Sequence, residues 1–267
     1  MIALVRADLR SRWRSIAALC GGCFVFLLVL AGTYSAYGGQ SGFARAFGGA
    51  HPPKILSAFS GSSSADIYSP SHFLAFGFGH PLVLLLTISI AVTTGVAAVA
   101  TDVETGRAEL LFTAPVRRTR ILTARIGGWV AAEVVVLLGA LGGALVGRLL
   151  SPDLHGVPLL VPVRDTVQLV SLLFFLAAVA FAASAHARTR GTATGLTVGV
   201  AAGSYVLNLV ALLWHPLAFA RRLSPFGYYS AVDAAAHVRW ADAAVLAGAG
   251  TALKLLARHW LSRRDLA

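Results

Sequence analysis

Along the chain, long apolar runs alternate with short polar punctuation, and the runs have the length of a bilayer crossing. Windows of about 20 apolar residues predict six spans, at 16–37, 81–101, 121–149, 166–185, 191–214 and 241–261. The third is long enough to cross with tilt. The sixth is the least apolar, because Asp242 and Lys254 stand toward its ends, where both can snorkel to headgroups. Residues 1–15 follow another pattern. Ile2, Val5, Leu9 and Trp13 share one helical face, and Arg6, Arg10 and Arg14 share another. That arrangement predicts an amphipathic helix at the membrane surface, with a charged flank of the first span as the plainer alternative. Residues 38–80 are Gly/Ser-rich, contain Pro52, Pro53 and Pro70, and show no helical or strand period, so a long extracytoplasmic loop is expected there. No clean A-x-A cleavage site follows the first run and five further spans do, so it reads as a span and not as a signal peptide. The expected fold is an all-α polytopic membrane protein, with one membrane domain over 1–267.

Composition agrees with this reading. Hydrophobic residues make up 57%, with 27 glycines in addition, and charged residues only 12%. An average soluble domain has about 45–50% apolar residues including glycine and about 25% charged. These residues cannot cover a soluble fold of this size with polar surface, nor do they suit a disordered chain.

The net charge of +11 would raise the question of nucleic acid in a soluble protein. Here it follows the membrane. With six spans both termini lie on one side, and that side holds fifteen of the 22 basic residues against seven on the other. The positive-inside rule makes it the cytoplasmic side. Only Lys54 and Lys254 are lysines, a bias of GC-rich bacterial genomes, so a bacterial plasma membrane is expected and no nucleic-acid partner.

Catalytic patterns are scarce. The chain has no G-x-x-x-x-G-K-[ST] to cradle ATP, no H-E-x-x-H and no G-x-S-x-G. Its eight histidines are scattered without ligand spacing, so no metal site is expected. Cys20-Gly-Gly-Cys23 has the C-x-x-C form but lies inside a span, which favours two small packing residues over a redox pair.

The segment between the second and third spans is the most informative. It reads Asp102-Val-Glu104-Thr-Gly106-Arg-Ala-Glu109-Leu110-Leu111-Phe112-Thr-Ala-Pro115-Val-Arg117-Arg118-Thr-Arg120. Pro115 suits the first turn of the next helix, where its missing N–H costs nothing. The plain reading is a solvated turn carrying topogenic arginines. Three consecutive apolar residues flanked by charge, however, are better explained by burial at the membrane surface or in a protein partner.

This stretch resembles the cytoplasmic signature of type-2 ATP-binding cassette (ABC) transporter permeases, in which Glu-x-Gly-x-x-Glu-Leu-Leu is followed by Pro-Val-x-Arg. Leu223-Ser-Pro-Phe-Gly-Tyr-Tyr229 resembles a Ser-Pro-aromatic segment of the same family, and Arg263-Arg-Asp-Leu266 its basic ending. Arg107 departs from the pattern, since many members have a small or hydroxyl residue there. The resemblance covers essentially the whole chain. It implies the transport subunit of an ATP-driven exporter, not an enzyme, with ATP and Mg held by a separate partner and no cofactor in this chain. It also implies two ATPase subunits, a second permease subunit (the same or homologous), and a coupling helix over about 104–113. On that helix Glu104 and Glu109 are the polar contacts and Leu110, Leu111 and Phe112 the anchor, with Gly106, Pro115, Arg117 and Arg118 completing the docking segment. A hydrophobic or amphipathic cargo is expected from the apolar spans, and the sequence does not name it.

Two intramembrane features each allow two readings. Gly139, Gly143 and Gly147 in the third span, and Gly191, Gly195, Gly199 and Gly203 in the fifth, make flat stripes for close helix approach. The third-span stripe suits packing within the chain, whereas the fifth-span stripe suits either that or a seam along the translocation path. Glu133 stands thirteen residues beyond Arg120, about 20 Å into the membrane at 1.5 Å per residue. It either lines an aqueous path or pairs with a residue such as Arg148 or Arg239. Asn208 is a weaker path candidate, and both Asn208 and Gln168 suit helix–helix hydrogen bonds. An ion-gradient carrier would want more intramembrane charge than Glu133 alone. A membrane enzyme would need converging polar groups, and a non-transporting scaffold is the remaining alternative.

Overall fold

The computed structural model describes residues 2–47, 53–59, 61–62, 66–105 and 118–263, and among them every regular element is helical. Six stretches are long and apolar enough to cross a membrane: Leu9–Ala36, Pro70–Val96, Thr123–Leu150, Leu160–His186, Arg190–Leu213 and Trp240–Trp260. These match the six predicted spans, with the largest difference at the start of the second.

Helix α1 (Ile2–Ala36) runs unbroken through the amphipathic stretch and the first span. No proline lies in it to interrupt the ladder. The separate helix expected over 1–15 is thus the first part of one 35-residue helix. At 1.5 Å per residue it is about 52 Å long, well beyond a hydrocarbon core of about 30 Å. It stops where Gly38 and Gly39 take φ of 82° and 66°, conformations that cost glycine nothing.

The expected loop over 38–80 is largely helical instead. It holds α2 (Gly39–Ala46), α3 (Lys54–Phe59) and α4 (Pro70–Gly79). Every residue of α4 from Phe73 to Gly79 is buried, so the segment has no polar face and no periodicity to read. Helix α5 (Pro81–Val96) continues it after a break at His80. Pro81 holds the residue before it extended, here φ −62° and ψ 135°, and the His80 ring accepts a hydrogen bond from the Leu82 N–H.

After a turn comes α6 (Ala100–Glu104), then α7 (Arg118–Leu150), α8 (Leu160–His186) and α9 (Arg190–Leu213). Short 3-10 turns at His215–Leu223 and Pro225–Tyr228 lead to α10 (Ala231–Ala236) and α11 (Trp240–Arg263). Helix α8 is the hub, packed by α4, α5, α7, α9, α10 and α11. Leu169, Leu172, Leu173, Leu176 and Phe181 on it are fully buried.

Lipid tails are as apolar as leucine, so association inside the bilayer depends on close contact rather than on leaving water. The α1–α7 pair shows how. A Cβ added to Gly139 would lie 2.5 Å from the Cys20 carbonyl oxygen, and one on Gly143 would lie 2.3 Å from that of Phe24. At Gly147 it would meet the Ala31 Cβ at 2.6 Å. Contacts on both helices advance together toward their C-termini, so the two run parallel. The third-span stripe is therefore an intrachain packing surface. Cys20 and Cys23 belong to the same helix pair as free thiols, with Cys20 against Gly139.

One buried hydroxyl holds the break at the end of α5. Ser184 on α8 donates to the Val96 carbonyl at 2.7 Å and accepts from the Val99 and Ala100 N–H groups at 3.0 and 2.9 Å. Ser184→Ala strands two buried amides, a loss of about 1–3 kcal/mol each at most. We expect its unfolding midpoint in a sodium dodecyl sulfate titration to fall clearly below that of the wild type. An unchanged midpoint would mean that other contacts hold the break.

Candidate functional site

The candidate site lies at the end of the bundle where α1 begins and α11 ends. There the first turns of α1, the end of α5, the start of α9 and the last turns of α8 and α11 come together, as the Arg12–Thr93, Glu104–Arg190 and His186–Trp260 contacts record. Glu104 closes α6, and its Oε2 accepts from the Arg190 N–H at 2.8 Å. Amides in the first turn of a helix lack intrahelical partners and lie at its positive end. Glu104 satisfies one of these in α9, while the Thr189 hydroxyl accepts from Thr192. A residue next to the 106–117 segment thus grips a span. Gly106, Glu109, Leu110, Leu111, Phe112, Pro115 and Arg117 lie outside the described residues, and Arg118 opens α7.

Two cavities flank α5. The larger, about 580 Å³, lies among α1, α5, α7 and the start of α9. Its walls include Arg12, Ser15, Thr93, Thr94, Thr101 and Arg190. The Arg12 guanidinium is fixed to the wall by donating to the Thr93 carbonyl at 3.1 Å. The second, about 420 Å³, is an apolar groove between α5 and α9, lined by Leu84, Leu85, Ile88, Val92, Val198 and Tyr205 among others. Both cavities touch Ser89 and Thr93, one helical turn apart on α5. None of the polar residues in the larger cavity stands out in the sequence as a site. Arg12 and Arg190 read as topogenic charges, and Thr101 as the end of a span.

Glu133 is buried on α7. Its Oε2 accepts from the Trp129 indole N–H at 3.0 Å, one turn earlier, while Oε1 has no partner. Arg148 instead donates to the Val157 and His155 carbonyls, and Arg239 pairs with Asp233 and Asp242. Neither reaches Glu133. Trp129 serves two residues, because Lys254 sets its ammonium 4.8 Å from the indole centroid and 3.5 Å from that of Phe174. Lys254 thus turns onto two aromatic faces, a cation–π arrangement, where the sequence suggested a side chain reaching out to headgroups. Glu133 lines neither large cavity, although its neighbour Ala132 lines the first.

Asn208 is buried near the opposite end, with its Oδ1 unpartnered, beside Tyr205 and Tyr229. Glu133 is not among the residues that line the small cavity beside Asn208. The fifth-span glycines behave unlike those of the third. A Cβ added to Gly191, Gly195, Gly199 or Gly203 would meet nothing within 4 Å. Helix α9 instead buries Ala193, Thr197, Ala201, Asn208 and Ala211 against the bundle, so the glycine face turns outward.

The far end is latched by polar contacts that also explain the Ser-Pro-aromatic segment. The Ser224 hydroxyl donates to the Ser204 carbonyl on α9 and accepts from the Phe226 N–H. Gly227 approaches the Arg221 carbonyl so closely that a Cβ would lie 1.9 Å from it. Tyr229 donates to the Phe78 carbonyl at 3.0 Å, and burial, then the nearby Asp165, pushes its phenol well above the usual range. Burial and the neighbouring Arg239 lower the affinity of Arg221 for its proton, yet its guanidinium donates to the Gly61 carbonyl. Gln168 ties both sides together, donating to the Tyr228 carbonyl and accepting from the Arg239 N–H. It makes backbone contacts between α8 and the far-end loops, where a helix–helix hydrogen bond was expected. Gln168→Leu removes both bonds, and the 215–239 segment should loosen from α8. Faster proteolysis of the 215–239 segment would register this, and an unchanged cleavage rate would contradict the latch.

A family model described as ABC-2 family transporter protein matches residues 2–222 of this chain. No curated protein and no solved structure matches it. Six spans, a charged connection between the second and third, and a family match across most of the length agree: the chain belongs to the ABC-2 transporter family and is a multi-pass transport membrane subunit.

Proposed function

We propose that the chain is the permease half of an ATP-driven exporter of hydrophobic or amphipathic cargo, working as a pair of permease subunits docked to two ATPase subunits. The termini face the cytoplasm of a bacterial cell, and the segment at about 104–113 is the coupling helix seated on the ATPase. The observation that carries this reading is the bond from Glu104 to the N-terminus of α9. Any displacement of the connecting segment is delivered through it to a span that borders both cavities. In this reading the first turns of α1 lie at headgroup level, with Trp13 exposed and the Arg14 guanidinium 5.7 Å from its ring centroid. The outward glycines of α9 are the seam for the second permease subunit.

The decisive experiment is copurification of the tagged chain with a candidate ATPase, followed by ATP turnover in membranes. A complex with two copies of each subunit and measurable turnover is expected. A chain that binds no ATPase, with transport surviving ATP depletion, would refute the reading. The seam has its own test in Gly199→Leu, because a Cβ at Gly199 meets nothing within 4 Å among the described residues. The variant should keep its unfolding midpoint but lose the permease pair in mass photometry, and persistence of the pair would remove α9 from the interface.

A further inference from the structure

We propose that the apolar groove between α5 and α9 binds a neutral amphiphile with a free hydroxyl head, which enters the small cavity between Tyr205 and Asn208 while its hydrocarbon chain follows the groove. The proposal deepens the transport reading by naming a chemical class, and rests on it for the use of the site but not for binding.

The head cavity holds two polar groups that the chain itself does not complete. Asn208 is only 4% exposed, and its Oδ1 has no hydrogen-bond partner. The Tyr205 hydroxyl, three residues earlier on α9, is also buried and unpartnered. Both residues line one cavity of about 10 Å³, room for a single oxygen the size of a water. A buried polar group in that condition is costly unless something completes it. A hydroxyl both donates and accepts, so one such oxygen donates to Oδ1 and accepts from the phenol. A carbonyl would leave Oδ1 without a donor, and an ammonium would leave the phenol proton without an acceptor. A charged head finds no match, because no charged side chain lines the cavity or the groove among the described residues. Arg221 donates to the carbonyl of the wall residue Gly61 but lines neither.

The groove adjoins this cavity, since Leu84, Tyr205 and Phe226 line both. Ser89 and Thr93 also stand on its walls, but their hydroxyls are spent on carbonyls of α5 itself. Tyr205 thus brings the groove its one unpartnered side-chain polar atom among the described residues. From Pro81 to Thr93 the groove follows α5 for about 18 Å at 1.5 Å per residue, the reach of a long acyl chain. Leu85 and Val198 on its walls are exposed, so it opens sideways to the hydrocarbon. The height suits an amphiphile of the far leaflet. Asn208 stands five residues before the end of α9 at Leu213, about 8 Å from that end at 1.5 Å per residue, and the groove runs from there toward the membrane centre. A water alone would fill the head cavity and make no use of the groove.

The test uses the full chain in phosphatidylcholine nanodiscs, with no ATPase and no nucleotide. A long-chain primary alcohol carrying a diazirine in its chain is compared with its methyl ether, which cannot donate. We expect saturable photolabelling of α5 and α9 by the alcohol. Labelling by the ether should be about tenfold weaker, the scale of one hydrogen bond to a buried group. Asn208→Leu and Tyr205→Phe remove oxygens that have no partner in the chain, so their unfolding midpoints should hold. Each should bring the alcohol down toward the ether and leave the ether unchanged. Ala202→Trp, on the groove wall, should weaken both probes. Equal labelling by alcohol and ether in the wild type would overturn the proposal and leave the head cavity to water. So would an alcohol preference that survives both Asn208→Leu and Tyr205→Phe, or labelling untouched by Ala202→Trp. With the ATPase absent, any of these failures leaves ATP coupling untouched, and a failure of ATP coupling leaves this result standing.

Discussion

Leu111→Asp is expected to abolish ATP turnover by the assembled transporter while leaving the chain inserted and folded. Leu110, Leu111 and Phe112 form an apolar triplet between Glu109 and Arg117, in the connection between the second and third spans. If the triplet seats in an ATPase groove, a carboxylate at its centre is desolvated there without a partner. That cost runs to several kcal/mol, and about 1.4 kcal/mol already lowers affinity tenfold. Docking is lost while α6 and α7 on either side are unaffected. Copurification and ATPase assays on the Asp variant, with Leu111→Met as the size-matched control, decide the matter. A Leu111→Asp complex that purifies and hydrolyses ATP normally would remove the triplet from the interface.

The second large effect is structural. Gly143→Leu places a side chain where the Cβ alone would lie 2.3 Å from the Phe24 carbonyl oxygen and 2.8 Å from its Cα. These are backbone atoms of α1, so no rotamer change relieves the clash and the two longest helices must separate. Overpacking a core commonly costs about 1–3 kcal/mol, and here it also removes the principal contact of α1 with the bundle. Gly139 and Gly147 lie on the same face and lose their partners with it. The variant should unfold at markedly lower sodium dodecyl sulfate than wild type and be recovered from membranes in low yield. Wild-type stability would mean that α1 docks otherwise. Gly199→Leu is the matched comparison, with the same chemistry and the same spacing pattern but an open face.

These two glycine stripes separate what is local from what is not. Membrane class, the number of spans and their approximate limits are properties of consecutive residues, because each crossing must supply its own apolar length and satisfy its own backbone. They were legible from the pattern alone, as was the ABC-2 signature, since it too is contiguous. Helix α4 was not legible. Its Phe73–Gly79 stretch is buried on all sides, and burial without a polar face leaves no period to detect. The unbroken α1 was also missed, because a change from amphipathic to apolar residues does not by itself break a helix.

The candidate site was less legible than the fold. Glu104 was singled out for a partner protein, and the structure adds its bond to α9. Ser184, hidden among alanines, carries no local signal for its three bonds to the α5–α6 break. Arg12, Thr101 and Arg190 lie far apart in sequence, and each alone is an ordinary interfacial residue.

The amino-acid sequence by itself determined that this chain is a six-span membrane protein of the ABC-2 pattern, with its chemistry concentrated in one polar connection. The tertiary structure alone decided which glycine stripe faces inward and which outward, and which distant polar residues share a cavity. The reason is physical. Hydropathy and backbone hydrogen bonding are settled within a helix, whereas a helix's rotation about its own axis is set by the neighbours it packs against.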